Sequence, residues 1–510
     1  LTGPSFLPRL VEMRVPLVVG KPGKARIASK ACKTKTIIEE TPMLPSKLAS
    51  ACARAIVGVM LVGGVGIAAD VQARSKPIKP PVSHSESREQ DSRVFVPVVS
   101  PLAAFPGLPS ERWTGIHDGA SYQIEVPPNW NGMLVMYAHG YRGTGPELTV
   151  GPPPIRPWLL QQGYAWAASS YSKNYYDVRA GIEDTNALAL SFSELTGKAQ
   201  PSKTYITGHS MGGHVAAAAV EAETYATANN PLRYSGSVPM CGVTGDVYEF
   251  EYLMNFTLAA QHLAGQGPTT FPATDFQAKL PLIIGALWDS YPTDPSPQGE
   301  KLEGVVRELS GGERPIFAEG FRTGLQSVVL GTGGQDGSVN GILADSLSGN
   351  LATRYQFDTN KAMSREEREF NDSIIRVIGH PPANSIRPDG LRWIPVVNGQ
   401  FNVPVVSIHT LGDLYVPFKH QQIYRRNAVA NGNGDLLVQR AIRAPSHCDF
   451  TYQEQVEAMA AMLQWDQQGI KPAGDEVLNP RVVANPAYGC QFTRNDGTQN
   501  RTSLPACPGS

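Results

Sequence analysis

A single serine in the chain has the neighbours that a nucleophile on a tight turn requires. Ser210 is the centre of Gly208-His209-Ser210-Met211-Gly212, the only Gly-x-Ser-x-Gly in the sequence, and lies between a β-rich run and an Ala-rich helical run. On a strand-to-helix turn the serine has a strained backbone, and glycines two positions away let neighbouring chain pass close. The N-terminus of the following helix directs N–H groups towards developing negative charge. The spacing predicts a nucleophile; the other interpretation is an ordinary turn.

A serine hydroxyl is a poor nucleophile until a base and an acid activate it. Asp413 comes just after the β-rich run 403–408, and His447 follows the next such run, 436–442. Because the carboxyl ends of parallel strands meet at one edge of a sheet, both side chains are expected near Ser210. The chain order serine, acid, histidine fits a strand-helix architecture. Ser210, Asp413 and His447 are therefore predicted to form a catalytic triad, and the other nine histidines are interpreted as structural.

Two backbone N–H groups must face the serine if a tetrahedral oxyanion is to be stabilised. Met211, the residue after the nucleophile, is predicted to supply one of them. The loop 138–143, with the sequence AHGYRG, follows an early strand, and its Tyr141 is predicted to supply the other. The alternative for this loop is a glycine-rich surface turn.

Short β-rich runs alternate with longer helical patterns through most of the chain. Strands are predicted at 133–137, 164–168, 203–207, 235–240, 403–408 and 436–442. Helices are predicted at about 179–196, 211–227, 417–430 and 451–469. Such alternation predicts an α/β fold with a mostly parallel sheet and helices on both faces.

The pattern divides the chain into a core and accessory segments. The core is predicted to comprise 96–243 and 400–470, and the segment 244–399, richer in helix and loop, is an inserted cap or lid. A polar, Pro/Ser-rich stretch at 74–95 predicts a flexible connection. Residues 471–510 form a C-terminal tail.

Residues 1–73 are predicted to be a leader. From about Met43 the order is that of a signal peptide, with basic Lys47 and Arg54, an apolar run over 55–69 and small residues near 71–73. The alternative is a membrane anchor, but spanning a bilayer takes about 20 apolar residues and glycines interrupt this run. The sequence therefore predicts a secreted or periplasmic protein without a stable membrane anchor.

The charge balance excludes a class of partner. The chain has 44 Lys+Arg and 45 Asp+Glu, and without residues 1–73, which hold ten basic and four acidic residues, 34 and 41 remain. A net charge of −7 gives no electrostatic reason to bind nucleic acid or anionic membranes. No glycine fingerprint for a nucleotide follows a strand, so no such cofactor is expected.

Four cysteines remain beyond the leader, namely Cys241, Cys448, Cys490 and Cys507. An even number in an oxidising compartment predicts two disulfides, and spacing alone leaves three pairings open. No pair has Cys-x-x-Cys spacing, so a zinc site is not expected.

A resemblance to a known family is carried by the motif around Ser210, His139-Gly140, Gly412-Asp413, Val416-Pro417 and His447. Together these residues resemble the α/β-hydrolase superfamily over about 118–243 and 400–469. The resemblance implies an α/β-hydrolase fold with a cap, and ester or amide hydrolysis through an acyl-enzyme without a cofactor or metal.

Within that superfamily, His447-Cys448 is similar to the tannase and feruloyl esterase group, in which a disulfide joins cysteines beside the serine and the histidine. In this chain His209, not a cysteine, precedes the serine. Cys241 ends the strand after the nucleophile helix and is expected at the same sheet edge. A Cys241–Cys448 disulfide that clamps the histidine loop is therefore predicted, with Cys490–Cys507 closing the tail.

The function expected from these features is that of an exported, carboxylesterase-like serine hydrolase acting on a small-molecule or polymeric ester. One alternative is an amidase or peptidase using the same triad, and another is an esterase that degrades polyesters or aromatic esters. A non-catalytic binding protein on the same fold is disfavoured, because binding alone requires none of the three triad side chains. Four aromatic side chains near the predicted mouth either favour aromatic or bulky esters or serve packing, namely Tyr141, Tyr171, Tyr175 and Tyr176. The sequence leaves the oligomeric state open.

Overall fold

The computed structural model of the protein describes residues 93–335, 339, 342–343, 345–495, 497 and 499–508. The leader predicted for 1–73 lies outside the described residues, and so does the predicted flexible segment up to residue 92. The described residues all belong to the unit Ser75–Ser510.

In the described part of the chain, eight strands form a central sheet and two pairs of short strands lie outside it. In chain order the strands are β1 (Val96–Pro97), β2 (Glu111–His117), β3 (Ala120–Val126), β4 (Met133–Ala138), β5 (Glu147–Leu148), β6 (Ala165–Ser169), β7 (Lys203–His209), β8 (Ser237–Met240), β9 (Trp288–Ser290), β10 (Asp294–Pro295), β11 (Val405–Thr410) and β12 (Leu437–Ile442). The six strands predicted from the sequence are all present, with ends shifted by no more than two residues.

The central sheet has the order β12-β11-β8-β7-β4-β6-β3-β2. Neighbouring strands are parallel from β12 to β6, and β3 is antiparallel to both of its neighbours. The mostly parallel sheet is therefore confirmed, and the architecture is the α/β-hydrolase fold. Because six parallel strands, β4, β6, β7, β8, β11 and β12, end at one edge, the loops that follow them lie side by side.

The helices run in chain order from α1 to α15. They are α1 (Arg156–Gln161), α2 (Val178–Leu190), α3 (Phe192–Thr196), α4 (Met211–Ala218), α5 (Ala222–Thr227), α6 (Tyr248–Leu263), α7 (Phe276–Leu287), α8 (Pro297–Leu309), α9 (Phe317–Phe321), α10 (Leu325–Gly331), α11 (Arg365–Ser373), α12 (Lys419–Ala430), α13 (Tyr452–Gln468), α14 (Pro480–Val483) and α15 (Gln499–Thr502). Over the described residues, no helix combines the length and apolar character that crossing a bilayer requires.

Helices cover both faces of the sheet, as the buried side chains of β4 illustrate. Successive residues of a strand point to opposite faces. Leu134 and Met136 pack in a core with residues of α2, α4 and α12. Val135 and Tyr137 pack in a second core with residues of α1 and α13. Because β4 is buried on both faces, its sequence is a continuous apolar run.

The segment 244–399 contributes α6 to α11 and a third hydrophobic core of its own. Its members include Tyr252 and Phe256 of α6, Leu302 of α8 and Phe321 of α9. Leu414, in the loop after β11, belongs to the same core and connects it to the loops at the sheet edge. The inserted segment is therefore anchored on the loops that carry the candidate site.

The structure contains elements that the sequence pattern did not reveal. Strands β2 and β3 were not among the predicted strands. In β3, apolar residues alternate with Ser121, Gln123 and Glu125, and every residue of the strand is buried. The helix predicted at 211–227 is divided into α4 and α5. Between them Glu221 is extended, and its carboxylate accepts hydrogen bonds from the N–H groups of Gly399 and Gln400.

A buried ion pair accounts for the polar face of β3. The Glu125 carboxylate accepts hydrogen bonds from Arg156 Nε and Nη2 at 2.6 and 2.7 Å, from Trp166 Nε1 at 2.8 Å and from Ser110 Oγ at 2.5 Å. These bonds connect β3 to α1 and to β6. Four donors around one carboxylate offset much of the cost of removing its charge from water.

Replacing Arg156 with Met is expected to lower the free energy of unfolding by about 3–5 kcal/mol, because it leaves the Glu125 carboxylate buried without its cation. The matched control is Lys198→Met, which breaks an exposed ion pair with Glu111 and should cost about 1 kcal/mol or less. Denaturant unfolding of the two variants provides the measurement. Equal losses would show that burial of the Glu125 pair is not what stabilises β3.

Candidate active site

The candidate nucleophile lies on a sharp turn between β7 and α4. Ser210 has φ of 59° and ψ of −123°, a positive φ that is uncommon outside glycine. A Cβ on Gly208 would lie 2.2 Å from the carbonyl oxygen of Gly212, and one on Gly212 would lie 2.0 Å from that of Ala138 in β4. Close backbone packing therefore requires glycine at both positions, and this packing holds the serine at the sheet edge.

Three side chains from separate loops meet in a chain of hydrogen bonds. The Ser210 hydroxyl donates to His447 Nε2 over 2.8 Å, and His447 Nδ1–H donates to Asp413 Oδ2 over 2.6 Å. Ser210 follows β7, Asp413 follows β11 and His447 follows β12. The structure thus brings together the three residues that the sequence analysis singled out for the triad.

The surroundings of the Asp413 side chain hold it in one orientation in a buried place. Asp413 is fully buried, and its Oδ1 accepts hydrogen bonds from the N–H groups of Tyr415 and Val416 at 2.9 and 3.0 Å. His409 Nε2–H donates to the carbonyl oxygen of Val416 over 2.9 Å, which supports the same loop. Burial lowers the pKa of His409 to about 4, so this imidazole is neutral at pH 7. The other carboxyl oxygen of Asp413, Oδ2, accepts its hydrogen bond from His447 Nδ1–H.

A disulfide holds the histidine loop against the neighbouring strand end. Cys241 follows β8 and is bonded to Cys448, the residue after His447, across a sequence separation of 207. Cys448 Sγ lies 3.4 Å from His447 Nε2. Both cysteines have positive φ, 45° and 54°, which non-glycine residues adopt only where the surroundings impose it. The second bond, Cys490–Cys507, closes a loop in the tail.

The loop after β4 passes directly beside the serine. A Cβ on Gly140 would lie 3.2 Å from Ser210 Cβ. His139 Nε2 lies 3.0 Å from the carbonyl oxygen of Ser170, and its ring stacks on Tyr171 with centroids 4.0 Å apart. The Tyr171 hydroxyl donates in turn to the His139 carbonyl oxygen over 2.9 Å. These contacts position the loop that carries Tyr141, while Met211 is the first residue of α4 and lies next to Ser210.

A cavity of about 360 Å³ opens next to Ser210, between the sheet-edge loops and the inserted segment. Its wall on the sheet side includes Tyr141, Val243 and Tyr415, and its opposite wall is built from residues of α6, α7 and α10. Most of the lining is apolar. None of the described residues that line it is Lys or Arg.

The four tyrosines expected near the mouth have different places. Tyr141 and Tyr176 line the cavity, and the Tyr176 hydroxyl donates to His214 Nδ1 over 2.9 Å. Tyr171 is fully buried behind the loop that carries Tyr141. Tyr175 lies under the guanidinium of Arg93, 3.5 Å from ring centroid to Cζ. Two of the four therefore face a ligand space, and two serve packing.

The sequence analysis did not identify the face of α6 that lines the cavity. Glu249, Leu253, Thr257 and Gln261 recur every four residues and line the cavity. A helical period of buried and polar residues in that segment is the signal that could have indicated it. What the period cannot indicate is that the face covers a cavity, since this depends on contacts with distant loops.

Glu249 is a buried carboxyl group in the cavity wall. Because the N–H of Gly245 donates to His420 Nδ1 over 2.8 Å, the proton of His420 is on Nε2, which donates to Glu249 Oε2 over 2.8 Å. Burial, together with the nearby charge of Asp413, raises the pKa of Glu249 well above its usual value. The cavity therefore contains an acid held by a neutral imidazole, with no basic side chain among its described lining residues.

One group of possible metal ligands lies close together among the described residues, formed by Cys241, His447 and Cys448. Its two sulfur atoms are bonded to each other, so they offer no thiolate to an ion. The group is better explained by the disulfide.

Comparison with known proteins finds hydrolases of two kinds. No protein-family model matches the chain. The o-phthalyl amidase of Xanthobacter agilis is 23% identical over 451 residues, covering 78% of this chain and 97% of that protein. Feruloyl esterase B from Aspergillus oryzae has a TM-score of 0.42 and 15% identity, over 74% of this chain and 86% of that chain. Thermogutta terrifontis esterase 2 has a TM-score of 0.33 and 13% identity, over 72% of this chain and 98% of that chain.

Removing the Cys241–Cys448 bond by serine substitution at both positions is expected to lower both stability and turnover. A closed loop of this length contributes about 5 kcal/mol by chain entropy. Misplacement of the His447 loop should lower kcat for a nitrophenyl ester between about tenfold and a hundredfold. Denaturant unfolding and ester turnover provide the two measurements.

The matched control removes Cys490–Cys507, whose sequence separation is 17 and whose loss should cost about 3 kcal/mol with little change in kcat. If the two double variants lost the same fraction of turnover, the first disulfide would have no special connection with the histidine.

Proposed function

We propose that the protein is a serine hydrolase that cleaves carboxylic esters through an acyl-enzyme intermediate. The observation that carries the proposal is the unbroken chain of hydrogen bonds from Ser210 through His447 to the buried Asp413. The order of these contacts, from a hydroxyl to an imidazole and from the imidazole to a carboxyl group, is the one that the first step of acyl transfer needs.

In the first half of the reaction, His447 Nε2 takes the hydroxyl proton of Ser210 while Oγ attacks the carbonyl carbon of the ester. The carbonyl oxygen becomes negative as the tetrahedral intermediate forms. Asp413 stabilises the imidazolium and keeps its Nδ1–H in place. When the intermediate collapses, His447 gives the proton to the departing alcohol oxygen, and the acyl group remains on Ser210.

In the second half, a water molecule takes the place of the alcohol. His447 removes one of its protons, the resulting hydroxide attacks the acyl carbon, and the second tetrahedral intermediate collapses with return of the proton to Ser210 Oγ. The products are a carboxylic acid and the free enzyme. No redox step or cofactor enters this sequence.

We assign stabilisation of the oxyanion to the backbone N–H groups of Tyr141 and Met211. Met211 begins α4, and the first N–H groups of a helix have no partner within the helix. Tyr141 follows Gly140, whose close approach to Ser210 supports a donor from this loop. Two such donors typically contribute a large share of the rate enhancement in acyl transfer.

An amide substrate is the second candidate, because the relative from Xanthobacter agilis is named an amidase and the same triad performs both reactions. The leaving group decides between them, since an amine must be protonated by His447 as it departs. Matched nitrophenyl esters and nitroanilides with the same acyl group distinguish the two substrate classes.

Export is part of the proposal. The two disulfides fit an oxidising compartment, because cytosolic conditions keep most thiols reduced. Both bonds lie in the core and tail and not in the predicted leader. A secreted or periplasmic location is therefore proposed together with the activity.

Replacing Ser210 with Ala is expected to lower kcat for a nitrophenyl ester by at least about 10⁴-fold, because no other group can accept the acyl chain. The matched control is Ser202→Ala, just before the opposite end of β7, where the hydroxyl donates only to the Gly132 carbonyl oxygen. The control should retain wild-type turnover. Turnover in the Ser210 variant within tenfold of wild type, with the protein folded, would contradict the assignment.

A further inference from the structure

The cavity beside Ser210 follows α6 for several helical turns. Glu249, Leu253, Thr257 and Gln261 line it at intervals of four residues, so the lining face covers about 18 Å at 1.5 Å per residue. The Glu249 end lies near the triad, since its carboxyl group interacts with Asp413. Tyr415, which packs edge-on against His447 with centroids 5.4 Å apart, lines the same end. Gln261 is therefore three turns of helix away from the reacting atoms.

Gln261 is an unusual lining residue because its polar atoms are unpaired. The side chain is fully buried, and neither Nε2 nor Oε1 has a hydrogen-bond partner among the described residues. A buried polar atom without a partner loses its hydrogen bonds to water and gains none in return, so two of them on one side chain are costly to keep. Where such a group lines a cavity, a ligand in that cavity can supply the missing partner.

The other hydroxyl groups along this part of the wall are satisfied. Thr257 Oγ1 donates to the Leu253 carbonyl oxygen over 3.0 Å, and Thr332 Oγ1 donates to the Val329 carbonyl oxygen over 2.7 Å. Ser327 Oγ shares a hydrogen bond with a tyrosine hydroxyl over 2.7 Å. The unpaired amide of Gln261 thus differs from its polar neighbours in the cavity wall.

The chemistry of the Gln261 side chain limits what it can bind. Its amide offers one carbonyl oxygen as acceptor and one NH₂ as donor. A ligand amide, with its own N–H and C=O, satisfies both at once. A carboxylate would leave Oε1 without a donor, and the cavity, which contains the Glu249 carboxyl group and has no Lys or Arg among its described lining residues, gives an anion no counter-charge.

The wall between the two ends is mostly apolar, and the hydroxyl of Thr257, which also lies there, donates within its own helix. Leu253, Met254, Leu258 and Phe276 line it, and they provide no hydrogen-bonding side chain to a ligand in between. A substrate that reaches Gln261 from Ser210 must therefore have an apolar middle section. We call the end of the cavity at Gln261 the distal subsite.

We propose that the distal subsite binds a neutral amide group at the far end of an elongated acyl chain, so that the preferred substrate is a long, linear acyl compound with an amide beyond an apolar section. This inference rests on the proposed hydrolase function, because it is the acyl group attached to Ser210 that extends along α6. It names the substrate class that the triad alone leaves open.

The chain offers a matched control for Gln261. Gln326, in α10, is also fully buried with both side-chain amide atoms unpaired among the described residues. It is not part of the cavity lining, although the next two residues are. Replacing either glutamine with leucine removes the same polar atoms from a buried place, and only one of the two replacements changes the distal subsite.

The test is a series of nitrophenyl esters with linear acyl chains of increasing length, each made with a terminal carboxamide and with a terminal isopropyl group of the same shape. At the matching length, the wild-type kcat/KM should be about tenfold higher for the carboxamide, as one well-placed polar contact gives. Gln261→Leu should lose this preference, and Gln326→Leu should keep it.

Three results would overturn the proposal. They are a wild-type enzyme without carboxamide preference at any chain length, a preference that survives Gln261→Leu, and a preference lost equally in Gln326→Leu. If the Gln261 variant does not fold, the wild-type series alone decides. Hydrolysis of nitrophenyl acetate, which is too short to reach Gln261, separates this failure from failure of the proposed function, because it tests the triad alone.

Discussion

The candidate site depends on how closely three backbone segments approach each other at the edge of the sheet. Neither Gly208 nor Gly212 has room for a Cβ, because each faces backbone carbonyl oxygens at 2.2 and 2.0 Å from where that atom would be. This contact presses the turn of Ser210 against the end of β4 and the loop that follows it. The same approach accompanies the positive φ of the serine and places the loop 138–143 beside it. The close backbone packing therefore determines both where Ser210 lies and which groups surround it.

The remaining groups of the site are held by buried polar contacts. Burial lowers the pKa of His209 and His409 to about 4 each, so these two imidazoles near the triad are neutral hydrogen-bonding groups at pH 7. Asp413 keeps its orientation through two backbone N–H groups. Because these groups are buried, their fixed dipoles act on Ser210 and His447 more strongly than they would in solution. The disulfide at Cys448 adds a covalent restraint to the loop that carries His447.

Sequence reasoning predicted the parts of the site that local chemistry determines. The motif around Ser210 has a spacing with a steric cause, and Asp413 and His447 could be placed because the ends of parallel strands share an edge. The face of α6 that lines the cavity was not predicted, since its meaning depends on contacts between residues hundreds of positions apart. The strand β3 was missed for a related reason: its Glu125 is buried only because Arg156 and Trp166 are there to bind it. Local sequence patterns predict secondary-structure elements and motifs. Which polar residues can be buried depends on contacts with residues that are far away in the sequence.

The central claim is that Ser210, His447 and the two backbone donors form one acyl-transfer site. The most direct measurement is a crystal structure of the protein after reaction with a fluorophosphonate, which leaves a tetrahedral phosphorus on the nucleophile. The account predicts a covalent bond from Ser210 Oγ to phosphorus, with the phosphoryl oxygen accepting hydrogen bonds from the N–H groups of Tyr141 and Met211 at about 2.7–3.1 Å. Phosphorus bonded to another residue, or a phosphoryl oxygen directed away from both N–H groups, would contradict it.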